Sequence, residues 1–418
     1  MSAKDLDVVV FGATGVTGRR VAGYLAQRGV GRWAVAARDR AKVERLLAEQ
    51  GVQAPETIDA DLARPESLAQ MARRAKVVLN LVGPYTRHGR PVIRACLEGG
   101  AHYADLSGEM PFLSRTVAEF GAEAAASGVK VVQPCGFESL PPDLAVRLAA
   151  ETARSRWDEP LETVELEARI SPPPGLPRAS DGMSGGTMGS MIEVMEDETP
   201  EVILDPAALI DDRGRADQVR RRSPISLAPR RGSEGSVLTP MVPVAYINPA
   251  VIQRSAALAD PDDAPPRYRE GVAIAGAGAT LPARWAAAAL VSAVQAAMRQ
   301  GARSAPGVRR RIAGAMRSVT PGSGYGPRPE RMEVWQWSMS VSGITPAGHT
   351  VQVAVDGRGH VGYLATARML GEAGLLLAED GATPDVAGCL TPSLALGTAV
   401  AGRFEPAGLS FTVADGQR

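Results

Sequence analysis

The chain has 418 residues, 45% hydrophobic and 22% charged, which excludes a disordered chain, a collagen-like repeat and a coiled coil and suggests two domains. Basic and acidic residues both number 46, so no net field recruits nucleic acid or an anionic membrane over the whole surface. All but four of the cations are arginine, and no lysine follows Lys130. Residues 7–11 form an apolar, β-branched run ending in Phe11, the mark of a strand buried on both faces. GATGVTG follows at once, then apolar residues at helical spacing through Val21, Leu25 and Ala26. Strand, glycine turn and helix make the first unit of a dinucleotide-binding fold. Gly12 permits the tight turn, Gly15 the approach of a pyrophosphate, and Gly18 close helix–strand packing. Thr14, Val16 and Thr17 complete the candidate phosphate loop, with the helix N-terminus behind it.

The next strand, residues 33–37, ends at Arg38. An acid at this point would read the ribose 2′-hydroxyl of NAD, whereas an arginine suits the 2′-phosphate of NADP. Asp39 is the competing signal, and NADP(H) is the expected cofactor. A helix over residues 41–49 leads to a strand end at Asp61, a secondary cofactor contact. Residues 76–82 are an apolar strand whose end, Gly83–Pro84–Tyr85, is expected beside the nicotinamide. Helices near residues 92–96 and 112–126, a strand over residues 129–133 and a proline-opened helix after Pro141 complete a Rossmann domain over residues 1–150. Cys96, Cys135 and Cys389 form no CxxC pair and the four histidines no metal-ligand spacing, so neither a disulfide framework nor a metal site is expected. The opening residues lack a secretory pattern, which makes the cytoplasm the expected compartment.

After Arg154 the period changes. Val164, Leu166, Ala168 and Ile170 alternate with charged residues, and alternation returns over residues 332–341 and 351–355 around a turn at residues 343–348. The expected fold is therefore α/β: an N-terminal doubly wound parallel sheet plus a second α+β domain with a largely antiparallel sheet, over residues 151–360. Residues 361–418 supply a closing helix and strand that pack back on the body. Residues 172–175 and 205–231 read as loops. An Ala/Val/Leu-rich stretch over residues 271–298, interrupted by Pro282, Arg284 and Trp285, reads as an apolar helical pair too short to span a membrane. Arginines at 299, 303, 309, 310 and 311 follow it, a pattern shared by a core helix with a solvated basic flank and by a peripheral membrane contact.

GATGVTG, NLVGPYTRHG, CLEGGAHYADLSGE, CGFESLPPDLA and SGGTMGS together resemble the saccharopine dehydrogenase-like oxidoreductases, and within them the trans-acting enoyl reductase branch of lipid and polyketide assembly. The resemblance implies an NADP-binding domain, a substrate domain, and reduction of a carbon–carbon double bond in an acyl thioester or carrier-bound lipid or polyketide chain. A saccharopine-type dehydrogenase acting on an imine or amino acid, and a non-catalytic NADP-binding scaffold associated with lipid, are the alternatives. Among the proton donors, Tyr85 is the first catalytic candidate and Cys135 the second, ahead of His88, Tyr103, Ser184 and Thr187. No tyrosine has a lysine four residues on, which disfavours short-chain dehydrogenase chemistry. The apolar stretch and its arginines are expected to form an acyl tunnel or groove whose mouth receives phosphate or carboxylate.

Overall fold

The computed structural model describes residues 4–174, 185–197, 200–241, 245–274, 280–320 and 325–414. The first half alternates strand and helix: β1 (Leu6–Phe11), α1 (Val16–Gln27), β2 (Trp33–Ala37), α2 (Arg40–Ala48), β3 (Thr57–Asp59), α3 (Pro65–Arg74), β4 (Ala75–Asn80), α4 (Tyr85–Gly99), β5 (His102–Asp105), α5 (Met110–Ala126), β6 (Lys130–Val132) and α6 (Leu140–Trp157). The β-branched centres of β1 and β4 are buried on both faces, which is why these segments read as unbroken apolar runs. Asp39 starts α2 by accepting the Lys42 N–H at 2.9 Å.

The second half comprises β7 (Thr163–Ser171), α7 (Gly185–Glu196), α8 (Arg213–Arg222), β8 (Arg230–Arg231), β9 (Val237–Thr239), α9 (Ile247–Ala259), β10 (Arg267–Ala273), α10 (Leu281–Ala302), α11 (Pro306–Val319), α12 (Pro329–Met332), β11 (Gln336–Ile344), β12 (Thr350–Arg358), α13 (Thr366–Ala378), β13 (Gly388–Leu390), α14 (Pro392–Leu396) and β14 (Leu409–Ala414). Two seven-stranded sheets result. The first is parallel throughout, in the order β13-β6-β5-β4-β1-β2-β3, and its order reverses between β1 and β4. The second runs β14-β12-β11-β7-β10-β9-β8 and is antiparallel except where β10 lies parallel to β7. Helix α6 leaves the first sheet and packs on β11 and β12, so Leu144, Ala145 and Ala149 share one core with Val341, Val353 and Val355.

The closing segment belongs to both layers. Helix α13 packs against α1 and β4, β13 extends the parallel sheet, and β14 pairs with β12. Glu372 fixes this docking: its buried carboxylate accepts from the Tyr24 hydroxyl at 2.5 Å and from Arg28 Nε at 3.1 Å.

Three expectations change. The 205–231 stretch, read as loop, contains α8, because Asp212 caps it and Ala216 and Val219 sit three apart on its buried side. Residue 332 lies in α12, and the strand begins four residues later at Gln336. The 271–298 stretch is not a helical pair. Residues 271–273 finish β10 and α10 is one continuous 22-residue helix, with Pro282 in its first turn rather than interrupting it. Residues 275–279 of that stretch lie outside the described residues, as do Gly175 and Ser184.

Candidate active site

Strand β1 delivers the chain to Gly12 at φ +102°, where a Cβ would lie 2.8 Å from the Leu81 carbonyl carbon; only glycine crosses there. Gly15 caps α1 without a side-chain bond, and the first turn of α1 carries no acid. Its amide groups and the positive end of its dipole thus face an anion unopposed. The nearest described atom to a Cβ on Gly15 would be Gly12 O at 3.5 Å, whereas one on Gly18 would lie 2.3 Å from the same oxygen. Gly18 holds helix to strand; Gly15 leaves open a cradle that a side chain would enter.

A cavity of about 390 Å³ opens over this turn. Gly15, Val16, Thr17 and Gly18 line one side, and Gly83, Pro84 and Tyr85 from the end of β4 the next. Glu109 and Glu138, from the loops after β5 and β6, complete the rim at the carboxyl ends of the parallel strands. A further wall is largely apolar: Met191, Val194 and Met195 from α7, Met298 and Ala302 from α10, with Arg299 among them. This glycine cradle and the adjoining apolar chamber suit a dinucleotide with its nicotinamide end toward a hydrophobic substrate.

The predicted residues divide accordingly. Gly15, Val16, Thr17, Gly18, Gly83, Pro84, Tyr85 and Thr187 line the cavity; Gly12, Thr14, Arg38, Asp61 and Cys135 do not. Tyr85 stacks on Phe112 with ring centroids 6.0 Å apart, and its hydroxyl donates to the Asn80 carbonyl at 3.2 Å. Burial pushes its pKa well up, and its proton is already engaged within the protein. Cys135 is fully buried, its Sγ 3.8 Å from Val132 O, with burial raising the thiol pKa. Asp61 accepts the Ala63 N–H within its own turn at 3.0 Å. His88 lies half-buried in α4, its pKa lowered by burial. Tyr103 is sealed beneath the loops, donating to Asp105 at 2.7 Å.

Arg38 is exposed at the end of β2 with Arg40 close behind. Arg38→Asp is expected to cut NADPH affinity roughly tenfold or more and to erase the preference over NADH. Titration of both cofactors checks this, and equal affinity in the unmodified protein defeats it.

Two glutamates at the rim escaped the sequence reading. Glu109 is fully buried, and its two oxygens accept the Tyr85 and Thr86 N–H groups at 2.8 and 2.7 Å, which occupies it in starting α4. Glu138 lines the cavity, and burial raises its pKa. Its position in the loop following a parallel strand was the available signal; the neighbouring Cys135 drew attention instead.

Residues 8–132 match the family described as "Saccharopine dehydrogenase NADP binding domain". A "Trans-acting enoyl reductase" from Mycobacterium ulcerans (strain Agy99) is 30% identical over 97% of this chain and 97% of its own. One of the same name from Mycobacterium tuberculosis (strain ATCC 25618 / H37Rv) is also 30% identical with 97% of each chain covered. The solved structure of apo saccharopine dehydrogenase (L-Glu forming) from Saccharomyces cerevisiae superposes with a TM-score of 0.52 at 13% identity, covering 98% of this chain and 99% of the other, a likeness of fold. The nucleotide of the N-terminal domain is NADP(H).

Proposed function

From the premise that this chain belongs to the trans-acting enoyl reductase family, we propose that it is an NADPH-dependent enoyl reductase. It saturates a carbon–carbon double bond in an acyl or polyketide chain presented by a separate carrier. The carrying observation is the single cavity that joins the glycine cradle to the wall of Met191, Val194, Met195, Met298 and Ala302. A multiply charged amino acid, the substrate of the saccharopine alternative, needs several cations in the cleft. Among the described residues, Arg299 is the one arginine or lysine lining it.

NADPH, when bound, supplies a hydride. The residues of this chain do the rest. Gly15–Gly18 and the N-terminus of α1 hold the pyrophosphate, and Gly83, Pro84 and the ring of Tyr85 wall the nicotinamide end. The methionines of α7 and α10 exclude water from the reacting carbons, which keeps the developing charge in a low-dielectric site.

The carrier docks, on this reading, beside α10 and α11. Residues 281–319 contain seven arginines and no acid. Leu290 of α10 is 67% exposed. Arg309 is not available for docking: it is buried and donates to the Asp197 carbonyl. Arg303, Arg310 and Arg311 are exposed. Replacing these three with glutamine is expected to raise KM for carrier-linked substrate several-fold, less so at high salt, with NADPH affinity unchanged. Unchanged kinetics would leave them as ordinary surface. The exposed Leu281, Leu290 and Val294 also favour contact with an anionic bilayer, although no described helix is long and apolar enough to cross one. Co-sedimentation with anionic vesicles separates the two. NADPH oxidation on adding carrier-linked or coenzyme-A-linked enoyl thioesters tests the activity itself; no oxidation with any of them would refute it.

A further inference from the structure

The loop between β6 and α6 is held from three directions. The Phe137 N–H donates to Thr366 Oγ1 at 3.0 Å, and the Phe137 ring meets Trp337 edge to face at 4.9 Å. On the other side Ser139 Oγ donates to Asn248 Oδ1 at 3.0 Å, and Asn248 is itself held by Glu270 at 2.9 Å. Between these two fixed residues stands Glu138, whose carboxyl lies over Gly136 so closely that a Cβ there would be 2.9 Å from Oε2. Its position is therefore set by the second domain and the closing helix as much as by its own strand.

Glu138 differs from the other carboxyls around it. Glu109 is committed to the Tyr85 and Thr86 amides, and Asp105 to Tyr103, Gln133 and Ser107. No side chain among the described residues bonds the Glu138 carboxyl, and it borders the cavity together with Gly83, Pro84 and Thr366. The remaining ionisable groups on the cavity wall are Tyr85, Tyr246 and Arg299. Tyr85 has its proton on the Asn80 carbonyl, burial raises the Tyr246 phenol above its ordinary value and makes it the weaker acid, and Arg299 belongs to the last turn of α10. Burial moves Glu138 toward its neutral, proton-bearing form, outweighing the opposing bond from its own backbone N–H.

We propose that Glu138 is the catalytic acid that delivers the proton to the α-carbon. The assignment rests on the enoyl reductase reading. Hydride from NADPH forms the new C–H bond at the β-carbon, and the π electrons move to the thioester oxygen as an enolate. The Glu138 O–H bond then breaks as the α-carbon takes its proton and the thioester carbonyl re-forms. The Glu138 carboxylate is left behind and regains a proton from water after product leaves. The balance is one enoyl thioester, one NADPH and one proton consumed, one saturated thioester and one NADP⁺ formed.

Glu138→Gln keeps the shape and removes the acid. It is expected to lower kcat about 100-fold or more while NADPH affinity stays within twofold. The fall in kcat of the unmodified enzyme with rising pH should vanish in this variant, and Glu138→Asp should recover part of the rate. A readout independent of turnover is the infrared band of protonated carboxyl groups at neutral pH in the protein without cofactor, which Glu138→Gln should diminish. A glutamine variant with kcat within threefold of the parent, or an undiminished band, overturns the assignment. Absence of any enoyl-dependent NADPH oxidation by the unmodified protein overturns instead the functional reading on which it rests.

Discussion

Gly15→Val is expected to leave the fold intact and to weaken NADP(H) binding about 100-fold or more, equivalent to roughly 2.7 kcal/mol. The backbone at Gly15 is ordinary extended geometry, φ −77° and ψ 167°, which valine adopts freely. No described atom lies closer than 3.5 Å to the added Cβ, so the protein itself has room for it. The branches project over the first-turn amides of α1, where the pyrophosphate must sit. Gly18→Ala is the contrasting case, since its Cβ meets Gly12 O at 2.3 Å and Ala13 Cα at 2.9 Å. Something in the turn must shift, and the variant should lose several degrees of thermal midpoint. Calorimetric titration with NADPH and thermal melts read the two effects separately. A Gly15→Val protein that binds NADPH like its parent would reduce the glycine turn to a structural elbow.

Stability is expected to fall as pH rises from about 5 to 8, through two buried carboxyls. Burial pushes Asp105 up to about 7, although it accepts from Tyr103 Oη and Gln133 Nε2, both at 2.7 Å, and from the Ser107 N–H at 3.0 Å. Burial likewise pushes Glu270 up to about 7; Oε2 is bonded to Asn248 and Tyr268, while Oε1 has no partner among the described residues. In the unfolded chain such groups titrate near 4. The native state therefore retains protons that the unfolded state has released. The stabilisation is fully present below about pH 4 and is lost as pH climbs through 7, amounting to a few kcal/mol for each group. His102, pushed down to about 4 by burial, acts oppositely, because its neutral form loses ground as pH falls below 6.5. Asp105→Asn isolates one contribution. Urea midpoints of the variant should change less between pH 5 and 8 than those of the parent, and equal changes would remove Asp105 from the account.

The elements legible in the sequence were those whose environment imposes one period. Residues 8–11 and 77–79 are buried on both faces and so are apolar without interruption, while β7 alternates buried Val164, Leu166 and Ala168 with exposed Glu165 and Arg169. Elements whose stability comes from distant partners were not legible. Strand β13 is three residues long and acquires its meaning only from pairing Cys389 with Val131. Strand β10 and helix α10 merged into one apolar run because Gly271 and Ala273 carry no mark of the strand they join. In the site, glycine spacing exposed the cofactor end, since phosphate binding needs bare backbone at fixed intervals. The apolar wall comes from α7, which ends at Glu196, and α10, which begins at Leu281, and no local pattern links them. Glu138 sits inside the CGFESLPPDLA motif, yet nothing in that segment marks it as a proton donor. Its candidacy comes from what lies around it, and the flanking sequence does not encode that.

The return of the closing segment to both sheets bears on how the chain matures at the ribosome. Residues 8–132, which carry the cofactor cradle, emerge early, yet β6 lacks a neighbour on its outer side until Gly388–Leu390 arrive. Lys130 waits as well, for its ammonium is held by Thr383 Oγ1, Pro384 O and Ala395 O at 2.7, 2.6 and 3.2 Å. Until then a nascent chain presents the bare β6 edge, with its apolar Val131 and Val132, to any passing strand. A gene cut after residue 360 should accordingly yield aggregated polypeptide rather than a minimal nucleotide-binding domain. A permuted gene that places the 361–414 segment ahead of β1 would shorten the interval during which that edge is bare.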